Sequence, residues 1–195
     1  MSKQYLWTPW RMAYISGTTG DASDPSPPSP LPRGERGATD EMPESEVQNG
    51  AGCVFCDRMQ LPSEHDRDNL VLLRGERNFV ILNLYPYNSA HLMVVPYEHT
   101  ADFAALDRET VSEMTALLQR LVRVIAAEYS PEGFNMGMNI GRVAGAGVAD
   151  HVHMHLVPRW AGDTNFMPVV GSTKVMPELL ETTYDRLKVR LGSIL

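Results

Sequence analysis

The stretch His151-Val152-His153-Met154-His155-Leu156-Val157-Pro158 places three imidazoles on alternate positions. A period of two is the repeat of a strand. His151, His153 and His155 then share one face, and Val152, Met154 and Leu156 the other. Few folds accept such a row: the apolar face packs on a core and the imidazole face is left for chemistry. Pro158 cannot donate to a ladder and is expected to end the strand. At about 3.3 Å per residue the outer two Cα atoms lie roughly 13 Å apart, too far for one small ion to take all three rings from a flat strand. Their roles are therefore expected to divide. The bland alternatives are a histidine-rich surface strand or an accidental metal site. Against them, five of the six histidines in the chain fall in related contexts.

The other two of those five stand upstream. Leu70 to Leu73 and Phe79 to Leu82 are apolar runs with Arg74-Gly75-Glu76-Arg77 between them, the pattern of an antiparallel hairpin. Asn83 follows, then the loop Tyr85-Pro86-Tyr87-Asn88-Ser89. His91 opens a third run, His91 to Pro96, and His99 sits three residues past that proline. Asp107 to Tyr129 has helix spacing, with Val111, Met114, Leu117, Leu118, Leu121 and Ile125 at steps of three and four. Asp107 or Thr110 can cap its start, and Ser130-Pro131-Glu132-Gly133 stops it. Phe134 to Gly141 reads as a fourth strand. Gly145 and Gly147 make a permissive loop whose backbone N–H groups either approach an anion or simply connect two strands. Pro177 to Leu191 reads as a second amphipathic helix. Strands with helices between and after them predict an α+β fold with an antiparallel sheet.

Length allows one domain with a core that needs no disulfides. The net charge of −7 and unclustered Lys and Arg predict no nucleic-acid partner and no anionic membrane surface. With no apolar run of spanning length and no signal-peptide pattern, the expected compartment is the cytoplasm. Cys53-Val54-Phe55-Cys56 then reads as metal ligands, a redox pair or two ordinary thiols. Residues 1–17 carry Leu6-Trp7-Thr8-Pro9-Trp10 and are expected to dock. Residues 18–50 are rich in Pro, Gly and Ser and are expected to form a disordered linker. A domain is expected over 51–162, and a C-terminal extension with its helix over 163–195.

The triad, with two apolar residues after it, resembles the signature of the histidine triad (HIT) family. Asn83, His91 and the Gly-rich run before His151 resemble the family's upstream pieces. The flanks Leu-Trp-x-Pro-Trp-Arg-Met and Val-Pro-Arg-Trp-x-Gly-Asp are similar to a bacterial branch that includes diadenosine tetraphosphate phosphorylases. The resemblance implies a HIT-like fold of about five antiparallel strands and two helices, in a homodimer or higher homo-oligomer. It implies that His153 attacks the α-phosphorus of a nucleotide and forms a nucleotidyl-histidine, with water or phosphate as acceptor. His155 and His91 contact the phosphate, and Asn83 holds the ribose. Asn139 and Gly141 contact the phosphate or leaving group, and Gly145, Ala146, Gly147 and Val148 supply backbone donors. A hydrogen bond to a backbone carbonyl is expected to fix one nitrogen of His153 so that the other attacks. A structural zinc on Cys53, Cys56, His99 and His151 is also implied, and no organic cofactor.

The loop Ala144 to Asp150 departs from many members in carrying no hydroxyl. That favours cleavage of a phosphate anhydride, whose leaving group needs no proton, over release of an amine. The leading expectation is cleavage of dinucleoside polyphosphates. The alternatives are a nucleoside phosphoramidate hydrolase and a nucleotide- or metal-binding module without turnover.

Overall fold

The computed structural model describes residues 52–163 and 176–193. In order these form helix α1 (Val54–Met59), strands β1 (Val71–Arg74), β2 (Asn78–Leu82) and β3 (Leu92–Pro96), and helix α2 (Arg108–Tyr129). Strands β4 (Gly133–Gly137) and β5 (Met154–Arg159) and helix α3 (Leu180–Ser193) follow. The strands make one antiparallel sheet in the order β1-β2-β3-β5-β4. The α+β expectation holds, with five strands and a third α-helix, α1, that was not anticipated. The expected docking segment and linker, and residues 164–175 of the expected extension, lie outside the described residues.

Helix α2 forms for the reasons its spacing suggested. The Asp107 carboxylate caps it, accepting from Thr110 N at 2.6 Å. Ser130 ends it in the left-handed region at φ 46°, and Pro131 cannot continue it. Met114, Leu117, Leu118, Leu121, Val124 and Ile125 are buried against β2, β3 and β5. Each such side chain stabilises by roughly 1.5–3 kcal/mol relative to exposure. Helix α3 packs on α2 and β1. Tyr184 donates from its hydroxyl to Val71 O at 3.1 Å, and Lys188 Nζ donates to Leu72 O at 2.8 Å.

Four expected boundaries move. The triad strand joins the ladder only at Met154, opposite Val94, although its partner β3 runs on to Pro96. His151 to His153 find other partners: Val152 N donates to Thr100 O at 2.8 Å. Both faces of this segment are therefore buried, with His151 1% and His153 4% exposed. The fourth strand stops at Gly137, opposite His155, short of the expected Gly141. The third begins at Leu92, since His91 N is used in a turn onto Asn88 O. The second amphipathic helix begins at Leu180 rather than Pro177.

Candidate active site and metal centre

Helix α1 is short, and side-chain contacts hold it. Phe55 is buried, its ring centroid 5.4 Å from His151 and 5.1 Å from His153. Arg74 secures the segment after it by bonding Asp66 at 2.8 Å and the Leu61 carbonyl at 2.9 Å. The cysteines at either side of Val54-Phe55 meet two histidines. Cys53 Sγ lies 3.4 Å from His151 Nδ1, and Cys56 Sγ lies 3.4 Å from His99 Nδ1 and 3.6 Å from His151 Nδ1. The two Nδ1 atoms are 3.3 Å apart. All four donor atoms fall within 4.8 Å of one another.

These spacings can be tested against zinc. Tetrahedral coordination at ordinary Zn–S and Zn–N lengths separates N from S by about 3.6 Å and N from N by about 3.3 Å. The observed edges match. The tautomer matches as well. His151 Nε2 lies 2.9 Å from Pro96 O, which can only accept, so Nε2 carries the proton and Nδ1 is left as a donor to metal. Without a cation, burial and then Cys53 push the Cys56 thiol up. A divalent ion reverses that preference by binding thiolate. The residues fit a closed structural site.

The remaining histidines form a line of fixed tautomers. His153 Nδ1 lies 2.8 Å from His151 O, so it is the protonated nitrogen and Nε2 keeps the lone pair. Tyr87 N donates to His91 Nδ1 at 3.0 Å, so the neutral His91 ring carries its proton on Nε2. That Nε2 donates to His155 Nδ1 at 2.9 Å, which leaves the His155 proton on Nε2. The row thus presents one lone pair, on His153, and one N–H, on His155. Burial, and secondarily His153, lowers the His155 pKa to about 4. Burial also lowers His153, opposed by its bond to the His151 carbonyl. The rings are held neutral near pH 7, as a nucleophilic imidazole requires.

A cleft of about 350 Å³ opens on this row. Its lining includes His153, His155, Asn83, Asn139, Gly145, Gly147 and Val148. Gly141 and Ala146 do not line it. Gly141, at φ 81°, starts the 3₁₀ turn Arg142–Ala144, and Ala146 N bonds its carbonyl at 3.3 Å. His91, 1% exposed, does not line the cleft either and lies behind His155. Asn83 Oδ1 accepts from Tyr85 N at 2.9 Å, and its Nδ2 is 3.4 Å from His91 Nδ1. Asn88 fastens this loop to the end of β5, donating to Pro158 O at 3.0 Å and to Asp163 at 2.7 Å. Phe55, Arg58, Tyr87 and the Pro96 carbonyl escaped sequence reasoning. Only the apolar pair inside Cys-x-x-Cys offered a signal, for Phe55.

The family model described as HIT domain matches residues 64–162. The chain is 38% identical over 180 residues to an AP-4-A phosphorylase of Mycobacterium tuberculosis, covering 92% of this chain and 80% of that one. It is 28% identical over 115 residues to an adenosine 5'-monophosphoramidase of Candida albicans, covering 56% of this chain and 71% of the relative. Among solved structures it resembles a Zn-bound histidine triad family protein from Mycobacterium smegmatis, with TM-score 0.59 and 28% identity over 74% of this chain and 96% of the other. The triad geometry, the family match and the likeness to an enzyme over most of the chain agree: the chain belongs to the histidine triad (HIT) family of nucleotide hydrolases and transferases, and is an enzyme.

Proposed function

We propose that the protein cleaves dinucleoside polyphosphates, diadenosine tetraphosphate among them, at the α-phosphate and passes the nucleotidyl group to phosphate or water. The observation that carries this reading is the 2.8 Å bond from His153 Nδ1 to the His151 carbonyl, which leaves Nε2 as the lone-pair atom in a row that lines the cleft. His153 Nε2 attacks the α-phosphorus. An N–P bond forms, the α–β anhydride P–O bond breaks, and the leaving nucleoside polyphosphate takes the electron pair. Oxygen of phosphate or water then attacks phosphorus, the N–P bond breaks, and the lone pair returns to His153. His155 Nε2–H donates to a phosphoryl oxygen as charge builds there, oriented by His91 behind it. Asn83 holds the ribose, and Asn139 with the backbone of Gly145 to Val148 cradles the phosphates. Gly141 and Ala146, outside the cleft wall, act by shaping that loop.

Zinc on Cys53, Cys56, His99 and His151 supplies structural rigidity when bound. Through His151 it ties α1 to the residue whose carbonyl sets the His153 tautomer. We place the protein in the cytoplasm as a homodimer or higher homo-oligomer. No helix among the described residues is long and apolar enough to cross a membrane.

A second reading is hydrolysis of a nucleoside phosphoramidate, favoured by the likeness to the monophosphoramidase. It uses the same phosphorus but releases an amine, which needs a proton. The loop Ala144 to Asp150 has no hydroxyl to deliver one, so the anhydride reading leads. Incubation with diadenosine tetraphosphate decides. ATP with ADP, the latter only when phosphate is present, supports phosphorolysis; ATP with AMP supports hydrolysis. No cleavage of the tetraphosphate, with turnover of adenosine phosphoramidate, would replace the first reading by the second.

A further inference from the structure

One side chain of the cleft has no task in that mechanism. Arg58 stands on α1, and among the residues lining the cleft it alone carries a formal charge while the imidazoles are neutral. It is partly buried, and among the described residues its side chain makes no hydrogen bond and no ion pair. Burial pulls its pKa below the ordinary value. Its nitrogens are not among the buried unsatisfied atoms, so the donors of the guanidinium remain open to a group entering the cleft.

Its place on the helix narrows what could supply them. Val54 and Arg58 are four residues apart, so they share one face of α1, and both line the cleft. Most of the apolar lining comes from this helix and from the loop after β2: Val54, Phe55, Leu84, Tyr85 and Tyr87, joined by Met93 and by Val148 of the glycine loop. Tyr85 is 82% exposed, an aromatic face open to solvent at the cleft. The groups suited to phosphate come from elsewhere: Asn139 and the glycine loop before β5, and the histidines at its start. Arg58 therefore continues the apolar wall that Val54 begins, a surface suited to a planar base.

We infer that Arg58 is a specificity-determining residue of this cleft, reading the edge of the bound base and favouring guanine over adenine. This rests on the cleft being a nucleotide site. Guanine offers two acceptors, O6 and N7, at the spacing of the guanidinium fork. Adenine puts an amino donor where O6 would be, which faces another donor and leaves only N7 to accept, so adenine binds but less tightly. Neither the family match nor the names of the relatives assigns any role to this position.

Titration calorimetry of the full-length protein with GMP and AMP tests the inference without requiring turnover. The wild type is expected to bind GMP about tenfold more tightly than AMP, a ratio within the range of one bidentate contact. Arg58→Met keeps the aliphatic packing and removes the fork, and is expected to bring the two affinities within about twofold by weakening GMP alone. Arg58→Lys keeps the charge but not the fork, and should also lose most of the preference. Equal affinities in the wild type, or a GMP to AMP ratio unchanged in Arg58→Met, overturns the proposal while leaving the nucleotide site intact. Equal weakening of both nucleotides with loss of salt sensitivity also overturns it, because that is the mark of a phosphate contact. Failure of the wild type to bind either nucleotide removes the site reading together with the inference.

Discussion

His91→Phe probes the orienting line behind the triad. His91 is 1% exposed and touches no solvent, so its effect must travel through His155. The substitution keeps an aromatic ring of similar size beside Tyr87, whose ring centroid is 4.8 Å away. It deletes the donor 2.9 Å from His155 Nδ1 and the acceptor for Tyr87 N. His155 is then free to move its proton to Nδ1, which would aim a lone pair instead of an N–H at the phosphoryl oxygen. Losing one oriented donor to a developing oxyanion costs roughly 3–4 kcal/mol, or about a hundred- to a thousandfold in kcat. Stability should fall by only about 1–3 kcal/mol, the cost of one orphaned backbone N–H. The assay is steady-state cleavage of diadenosine tetraphosphate, alongside AMP binding and a urea titration to show that the variant is folded. His91→Gln restores an amide donor and should recover part of the rate. If a folded His91→Phe keeps kcat within about fivefold of wild type, the tautomer argument is wrong.

Other outcomes follow from the same structure. Cys53→Ser should abolish stoichiometric zinc by metal analysis and lower stability by several kcal/mol, on the order of a structural-site loss; zinc content equal to wild type would remove Cys53 from the ligand set. Acid should weaken the fold through His155. Its folded pKa of about 4 lies below the ordinary imidazole value, so between about pH 6.5 and 4 the unfolded chain binds more protons. That contribution is complete above pH 6.5 and is lost as pH falls, by less than about 3 kcal/mol in all, because solvent screens a half-buried ring. Urea titrations should show a slope smaller by about one proton in His155→Asn over that window, and identical slopes would contradict the assignment. Leu121→Ala, in the stripe α2 buries, should cost about 2–5 kcal/mol in urea unfolding and leave KM unchanged.

What the sequence made legible was local and periodic. The triad's alternation, the Leu70 to Leu82 hairpin and the 3.6-residue stripe of α2 each repeat often enough to override noise. The cap was readable only as Asp107 or Thr110, both of a capping type, and the structure assigns it to Asp107. Helix α1 was not readable. Six residues show no period, and tertiary contacts hold it, namely Phe55 on the histidines and the donor atoms of Cys53 and Cys56. The true start of β5 reflects the Thr100 carbonyl, which takes Val152 N away from the ladder, a long-range fact. The tautomers are set by the carbonyls of Pro96 and His151 and the N–H of Tyr87, and a backbone group has no letter of its own. Arg58 sits in no motif, and only the fold places it in the cleft.

The covalent step can be seen directly. A reaction with diadenosine tetraphosphate, started without phosphate and quenched within a turnover, is analysed by intact mass and then by peptide mapping under conditions that preserve the N–P bond. The account predicts one adenylyl group per chain, on the peptide carrying His153, that disappears when phosphate is added and never forms in His153→Ala. No adduct in the wild type, together with His153→Ala turning over within about tenfold of it, would show that the nucleophile lies elsewhere.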